Sequence, residues 1–195
     1  MSNLKSKDSG QLPAKRLFLG IPLPEEALQA LRHFRQQHAH LRGLRWVPDE
    51  NLHITLYFFG AVPALQVHNL REMIQARLHE QQAFELKFRA YALAPRPREP
   101  RMIWARFDKH PSFTALVGQL DQAYQQIHTN QFNRKSPIPH ITLARLKHFT
   151  QAREVDLGLP FSPTILPVKE LCLWESQLHP SGARYEALAR FALSH

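Results

Sequence analysis

The chain of 195 residues carries 25 Lys and Arg against 16 Asp and Glu, a formal charge of +9, with 44% hydrophobic residues. Such a composition excludes a disordered chain, is sufficient for a buried core in one domain or two small lobes, and favours polyanionic partners such as nucleic acid. The single cysteine, Cys172, excludes an intrachain disulfide and points to a reducing compartment.

Residues 1–15 are polar, contain Lys5, Lys7 and Asp8, and lack the apolar segment of a signal peptide, so a disordered basic tail in the cytoplasm is expected. Leu17 to Leu23 reads as a buried strand. Pro24-Glu25-Glu26 then opens a helix with Leu28, Leu31 and Phe34 on one face, its acidic first turn suited to the helix dipole. Trp46 to Phe59 holds a strand, and Val67, Leu70, Ile74 and Leu78 mark a second amphipathic helix. Strands are predicted at about Phe84–Leu93 and Met102–Phe107, separated by a loop, Pro95 to Arg101, whose prolines exclude regular pairing. A third helix begins near Pro111 and places Phe113, Leu116, Leu120, Tyr124 and Ile127 at helical spacing. After Asn133-Arg134-Lys135 come a strand from His140 and further strands around Ile165–Glu175 and Arg184–Leu193. The order fits a duplicated α+β unit. The longest apolar stretch, Ile54 to Leu65, is too short for a bilayer span and is broken by Gly60 and Pro63, so no membrane role is expected.

The tetrapeptide His-Ile-Thr-Leu occurs twice, at His53–Leu56 and His140–Leu143. In a strand, His and Thr two positions apart share a face while Ile and Leu share the other. Each copy therefore offers an imidazole and a hydroxyl. Two such strands supply two proton-transfer groups and two hydrogen-bond donors to a phosphate between them, with no metal required. A bare His-x-Thr is weak evidence, since composition alone yields about 0.4 chance occurrences. The third copy, His148-Phe149-Thr150, lies among charged residues and is set aside. Identity over four residues raises the other two above half-buried strands with core histidines.

Arg145 follows the second motif, but strand alternation places it opposite His140, so it reaches a phosphate only if the strand twists or ends there. Arg134 and Lys135 lead into that motif and are the favoured nucleic-acid contacts at the cleft rim. Arg96, Arg98 and Arg101 form a second basic cluster, read first as an ordinary charged loop. Phe18 and Trp46 could stack bases, though aromatics in strands are more often core. His38 and His40 diverge on a helix and are rejected as metal ligands. Cys172, inside Leu171-Cys172-Leu173-Trp174, reads as a buried apolar residue rather than a nucleophile.

These residues resemble the 2H phosphoesterases, and within them the bacterial 2′-5′ RNA ligase group, also called RNA 2′,3′-cyclic phosphodiesterases. The resemblance rests on Arg16-Leu17-Phe18-Leu19-Gly20-Ile21, on Trp46-Val47-Pro48 leading through Asn51-Leu52 to the first motif and Phe59-Gly60, on Pro139 to Arg145, and on Leu173 to Tyr185 with Glu175-Ser176 and Gly182. Ala61 departs from it, standing where an acidic residue often follows the glycine. The resemblance implies an α+β fold over 16–195: two pseudo-symmetric lobes, one motif each, with antiparallel sheets lining a central cleft and helices outside. It further implies hydrolysis of RNA 2′,3′-cyclic phosphate ends to 2′-phosphates, with reversible 2′-5′ joining. His53 would be the proton donor, His140 the acceptor, and Thr55, Thr142 and Arg145 phosphate contacts, with no cofactor and no metal. The expected partner is RNA with 2′,3′-cyclic phosphate ends, bound by a monomer without an obligate protein partner. Two other readings stand beside it: a catalytically silent RNA-binding module, and a phosphodiesterase for a small cyclic phosphate.

Overall fold

The computed structural model describes residues 13–126, 137–148, 154–180 and 182–194. It contains nine strands and three α-helices among those residues: β1 (Ala14–Pro22), α1 (Glu25–Gln37), β2 (Leu44–Trp46), β3 (His53–Pro63), α2 (Val67–Leu78), β4 (Phe84–Ala94), β5 (Met102–Phe107), α3 (Pro111–Gln125), β6 (His140–Leu146), β7 (Ile165–Val168), β8 (Glu170–His179) and β9 (Gly182–Ala192). All strand pairings are antiparallel, in the order β7-β4-β5-β6-β3-β1-β8-β9, with β2 added beside β6. A short parallel bridge between Gln82 and Ser194 links the segment before β4 to the residues after β9, so the sheet curls on itself.

The sheet has two halves. One is β3-β1-β8-β9 and the other β6-β5-β4-β7, and they join through a single pair of backbone partners, Ile54 on β3 and Ile141 on β6. Both isoleucines are fully buried. Each motif thus contributes its Ile to the seam and leaves His and Thr for the other face. The halves match in detail. On β3, Thr55 pairs with Gly20 and the next partner is Tyr57 with Leu19; on β6, Thr142 pairs with Trp104 and the next is Ala144 with Ile103. Leu56 and Leu143 are therefore the extra residues of equivalent β-bulges.

The helices cover the sheet face away from the histidines. Pro24 precedes α1, whose first turn holds Glu25 and Glu26 and whose buried side is Ala27, Leu31 and Phe34. Phe34 packs on Tyr91 of β4 and on Trp46 of β2, so α1 leaves one half and covers the other. Conversely α3 follows β5 and packs against β3, where the Tyr57 hydroxyl donates to Asp121 and the Tyr124 hydroxyl donates to the Phe59 carbonyl. No described helix is long and apolar enough to cross a membrane.

Several boundaries differ from the sequence reading. Strand β1 begins at Ala14, so Ala14 and Lys15 belong to the sheet rather than to a tail, paired with Pro63 and Val62. Within Trp46 to Phe59 the strand begins at His53, after Pro48 leads into a single 3₁₀ turn, Asp49–Asn51, and it runs on to Pro63. The stretch Ile165–Glu175 divides at Lys169: β7 pairs with β4 in one half and β8 with β1 in the other. Ile127 lies outside the described residues.

Deleting the buried seam side chain should be costly. Ile54→Ala is expected to lower stability by about 2–5 kcal/mol, the usual range for a buried isoleucine, measured as a reduced urea midpoint at unchanged slope.

Candidate active site

The two motifs meet in one pocket lined by Val47, Asn51, His53, Thr55, Phe58, His140, Thr142, Arg145 and Tyr185. Both histidines stand at the first position of their strands, and both are anchored alike. The Nδ1–H of His53 donates to the Asn51 carbonyl at 2.7 Å, and that of His140 to the Ile138 carbonyl at 2.8 Å. A carbonyl only accepts, so Nδ1 carries the hydrogen and Nε2 is left as the reactive nitrogen of each ring. In this tautomer His53 Nε2 accepts from the Thr55 hydroxyl at 3.0 Å.

The surroundings of the two rings are not equivalent. His53 sits among Phe18, Trp174 and Tyr185, with ring centroids 4.8, 5.5 and 5.4 Å away. Burial there pushes its pKa down to about 4, against the hydrogen bond to Asn51, with a smaller push from His140. His140 instead stacks on Trp104 at a centroid distance of 3.7 Å and 24° between planes. Burial lowers its pKa too, and the nearby Arg106 cation adds to that. Both imidazoles are thus biased to neutrality in the empty site. Burial raises the Tyr185 phenol, while Arg145 and Arg16 pull it the other way.

Arg145 faces this pocket, contrary to simple alternation. The bulge at Leu143 inserts one residue, so Leu143 and Ala144 are both buried and Arg145 returns to the face of His140 and Thr142. The same bulge at Leu56 turns Phe58 into the pocket, 54% exposed. Asn51, Phe58 and Tyr185 were not singled out as site residues from sequence. Phe58 could have been found from the doubled motif, since it occupies in the first copy the place of Arg145 in the second.

Other residues fall elsewhere. Arg134 and Lys135 lie outside the described residues, as do Phe149 and Thr150 of the third His-x-Thr. Arg96, Arg98 and Arg101 are exposed on the β4–β5 loop and line no part of the pocket. Phe18 is buried behind His53, stacked on Trp174, and Trp46 packs against Phe34. His38 is buried and structural: Nδ1 donates to the Phe34 carbonyl and Nε2 accepts from the Asp156 amide. Burial pushes the Cys172 thiol up to about 11, which fits a packing residue.

A curled antiparallel sheet holding two His-x-Thr strands face to face defines a two-histidine phosphoesterase. Residues 21–104 match the family described as LigT like Phosphoesterase. An RNA 2′,3′-cyclic phosphodiesterase of Thermotoga maritima is 26% identical over 175 residues, covering 89% of this chain and 92% of its own. The crystal structure of TT0787 from Thermus thermophilus superposes with a TM-score of 0.81 at 28% identity, covering 91% of this chain and 97% of that one. The structure of Escherichia coli LigT complexed with 3′-AMP gives 0.74 at 26% identity, over 94% and 99%. The chain is thus similar to the LigT-like phosphoesterases in sequence over residues 21–104 and in fold over most of its length.

Two outcomes are expected from this geometry. A Cβ at Gly20 would lie 2.6 Å from the Ile54 carbonyl, 3.1 Å from Trp174 and 3.4 Å from His53 Cδ2. Gly20→Ala must therefore displace the motif strand, lowering stability by about 1–3 kcal/mol and depressing kcat well beyond what the folded fraction explains. Second, a histidine whose folded pKa is below its unfolded value near 6.5 adds stability that is complete above that pH and lost as pH falls toward about 4. The urea midpoint should fall through that window, and less steeply in His53→Gln.

Proposed function

We propose that the chain hydrolyses RNA 2′,3′-cyclic phosphate ends to 2′-phosphates without a metal, and joins RNA ends 2′-5′ by running the same chemistry with a 5′-hydroxyl in place of water. The observation that carries this reading is the pair of imidazoles in one pocket, each fixed through Nδ1 to a backbone carbonyl two residues earlier, which leaves Nε2 as the proton-exchanging nitrogen of each ring. The naming of the Thermotoga maritima relative as an RNA 2′,3′-cyclic phosphodiesterase supports the substrate class.

In hydrolysis, water attacks phosphorus in line with the departing 3′ oxygen. His140 Nε2 takes the proton of the water and His53, as imidazolium, gives one to the 3′ oxygen, so the P–O3′ bond breaks and the 2′-phosphate remains. Each transfer contributes about 10² to 10⁴ in rate. Thr55 and Thr142 donate to the non-bridging oxygens, which requires the Thr55 hydroxyl to leave His53 Nε2 when phosphate arrives. Arg145, brought into the pocket by its bulge, balances the anionic charge, and Phe58 offers a base an apolar face. Both motifs come from one chain, so a monomer suffices for the reaction.

The cyclic phosphodiester anion also acts on the charge of His53. Buried among rings, His53 is a reluctant cation, and an anion at Nε2 favours its protonated form. The protonated ring is then a strong acid facing a poor leaving group.

Turnover of a short RNA with a 2′,3′-cyclic phosphate in EDTA is the direct test. The expected product is the 2′-phosphate, with loss of about 10²-fold or more in His53→Ala and in His140→Ala, and up to about 10²-fold in Thr142→Val. Activity that vanishes in EDTA and returns with a divalent ion would sink the metal-free mechanism. The kcat/KM profile should be a bell: its acid limb rises as the base loses its proton, and its alkaline limb falls as the acid loses its own. Because burial lowers both histidines, its maximum should lie below pH 6.5, and a maximum at or above pH 8 would contradict the paired roles.

A further inference from the structure

The two sides of the scissile phosphate face unlike strips of sheet. Beside His53, the positions of β1 that pair with the motif are Gly20 and Pro22, and the space around them is filled by Phe18, Trp174 and Tyr185. Beside His140, the equivalent positions of β5 are Trp104, paired with Thr142, and Arg106, paired with His140. Ile103, Ala105 and Phe107 of β5 are buried, while Met102, Trp104 and Arg106 alternate onto the half-exposed face. Arg145 Nη1 contacts Met102 Sδ at 3.8 Å, so this strip is continuous with the pocket although neither Trp104 nor Arg106 lines it.

On the outer side of the strip, β4 presents Ala90 opposite Arg106 and Ala92 opposite Trp104. Both side chains are short, with Ala90 exposed and Ala92 half-buried, so the outer flank of the strip is open to solvent. Two donors on the strip are buried with no hydrogen-bond partner, Trp104 Nε1 and Arg106 Nε. A half-buried cation with an orphaned donor, set beside an open flank one strand from the reacting histidine, is costly unless it meets an anion.

We propose that the Trp104–Arg106 strip is the docking site of the RNA strand on the nucleophile side of phosphorus, with Arg106 on that strand's backbone phosphate. This rests on the cyclic-phosphate reading and on His140 as the base. In joining, the 5′-hydroxyl of that strand loses its proton to His140 Nε2, the 5′O–P bond forms, the P–O3′ bond breaks, and the 3′ oxygen takes a proton from His53. In the reverse direction the same strand leaves with a 5′-hydroxyl. In-line displacement puts nucleophile and leaving group on opposite sides of phosphorus, so a strand entering beside His140 must cross β5. Arg106 acts on binding of that second strand, and less on hydrolysis by water, which brings none.

The test compares two inhibitors of cyclic-end hydrolysis: an RNA ending in a 2′-phosphate, and the same RNA joined 2′-5′ to a further oligonucleotide. In the wild type the joined RNA is expected to bind the tighter. Arg106→Gln should raise its KI at least ~10-fold more than that of the 2′-phosphate strand, and should lower its salt slope by about one, while Arg106→Lys recovers part of both. Equal loss for the two RNAs would mean that Arg106 acts only through His140 and would overturn the proposal. So would a wild type that binds the joined RNA no better than the 2′-phosphate strand. Absence of cyclic-end turnover in the wild type would instead remove the underlying reading, and the inference with it.

Discussion

The site is built on the backbone contact between Ile54 and Ile141, the one pair of register partners between β3 and β6. An antiparallel pair carries a local twofold relation, so a tetrapeptide repeated on both sides of such a pair is presented symmetrically. Ile and Leu go into the core; His and Thr come out on the other face, His53 beside Thr142 and Thr55 beside His140 if the register is continued outward. No loop has to close to bring the imidazoles together. The cost of holding them is spread over the buried isoleucines, the helices behind them and the crossed arrangement in which α1 covers one half and α3 the other. Placing reactive groups on strands rather than on loops limits their freedom, which is what in-line chemistry at phosphorus demands.

The paired bulges solve a second problem. A strand alternates faces, so a motif of His and Thr two residues apart would next offer a cleft position two residues later, at Tyr57 and Ala144. Tyr57 and Ala144 are instead buried, because the extra residues Leu56 and Leu143 shift the phase. The next cleft positions become Phe58 and Arg145. Symmetry of backbone thus yields asymmetry of chemistry: an aromatic surface on one side and a guanidinium on the other, both lining the same pocket.

How much of this could be read from the residues follows from the range of the signals involved. The motif pair, the helices with their 3.6-residue patterns and the strands Phe84–Leu93 and Met102–Phe107 are local features, and each was legible. Arg145 was misplaced because a bulge is a property of two strands in register and has no mark within one strand. The break at Lys169 was invisible for a related reason: β7 and β8 are both apolar, adjacent and β-prone, and only their partners, β4 and β1, separate them. Tyr185 and Asn51 reach the pocket through tertiary placement, with the Asn51 side chain donating to the Ala183 carbonyl of β9, the strand that carries Tyr185. Composition cannot announce such a contact, whereas Phe58 was available to anyone who aligned the two motif strands past their leucines.

Electrostatics then decides what the symmetric frame can do. Two neutral imidazoles cannot run acid and base chemistry together; one must be charged. Burial works against that charge at both rings, most clearly at His53, whose pKa is pushed down to about 4 in the empty pocket. Arg106 makes a charge on His140 more costly still, and Arg145 holds a further cation at the pocket wall. A phosphate anion in the pocket would attract a proton to the ring it faces, and burial sets the cost of that charge highest at His53 while Arg106 adds to it at His140. Arg106 stands beside His140 and not beside His53, where the equivalent position is Pro22. The two identical tetrapeptides therefore stand in unlike surroundings, an arginine opposite one histidine and a proline opposite the other, so a difference in their protonation comes from the residues around each ring rather than from the motifs themselves.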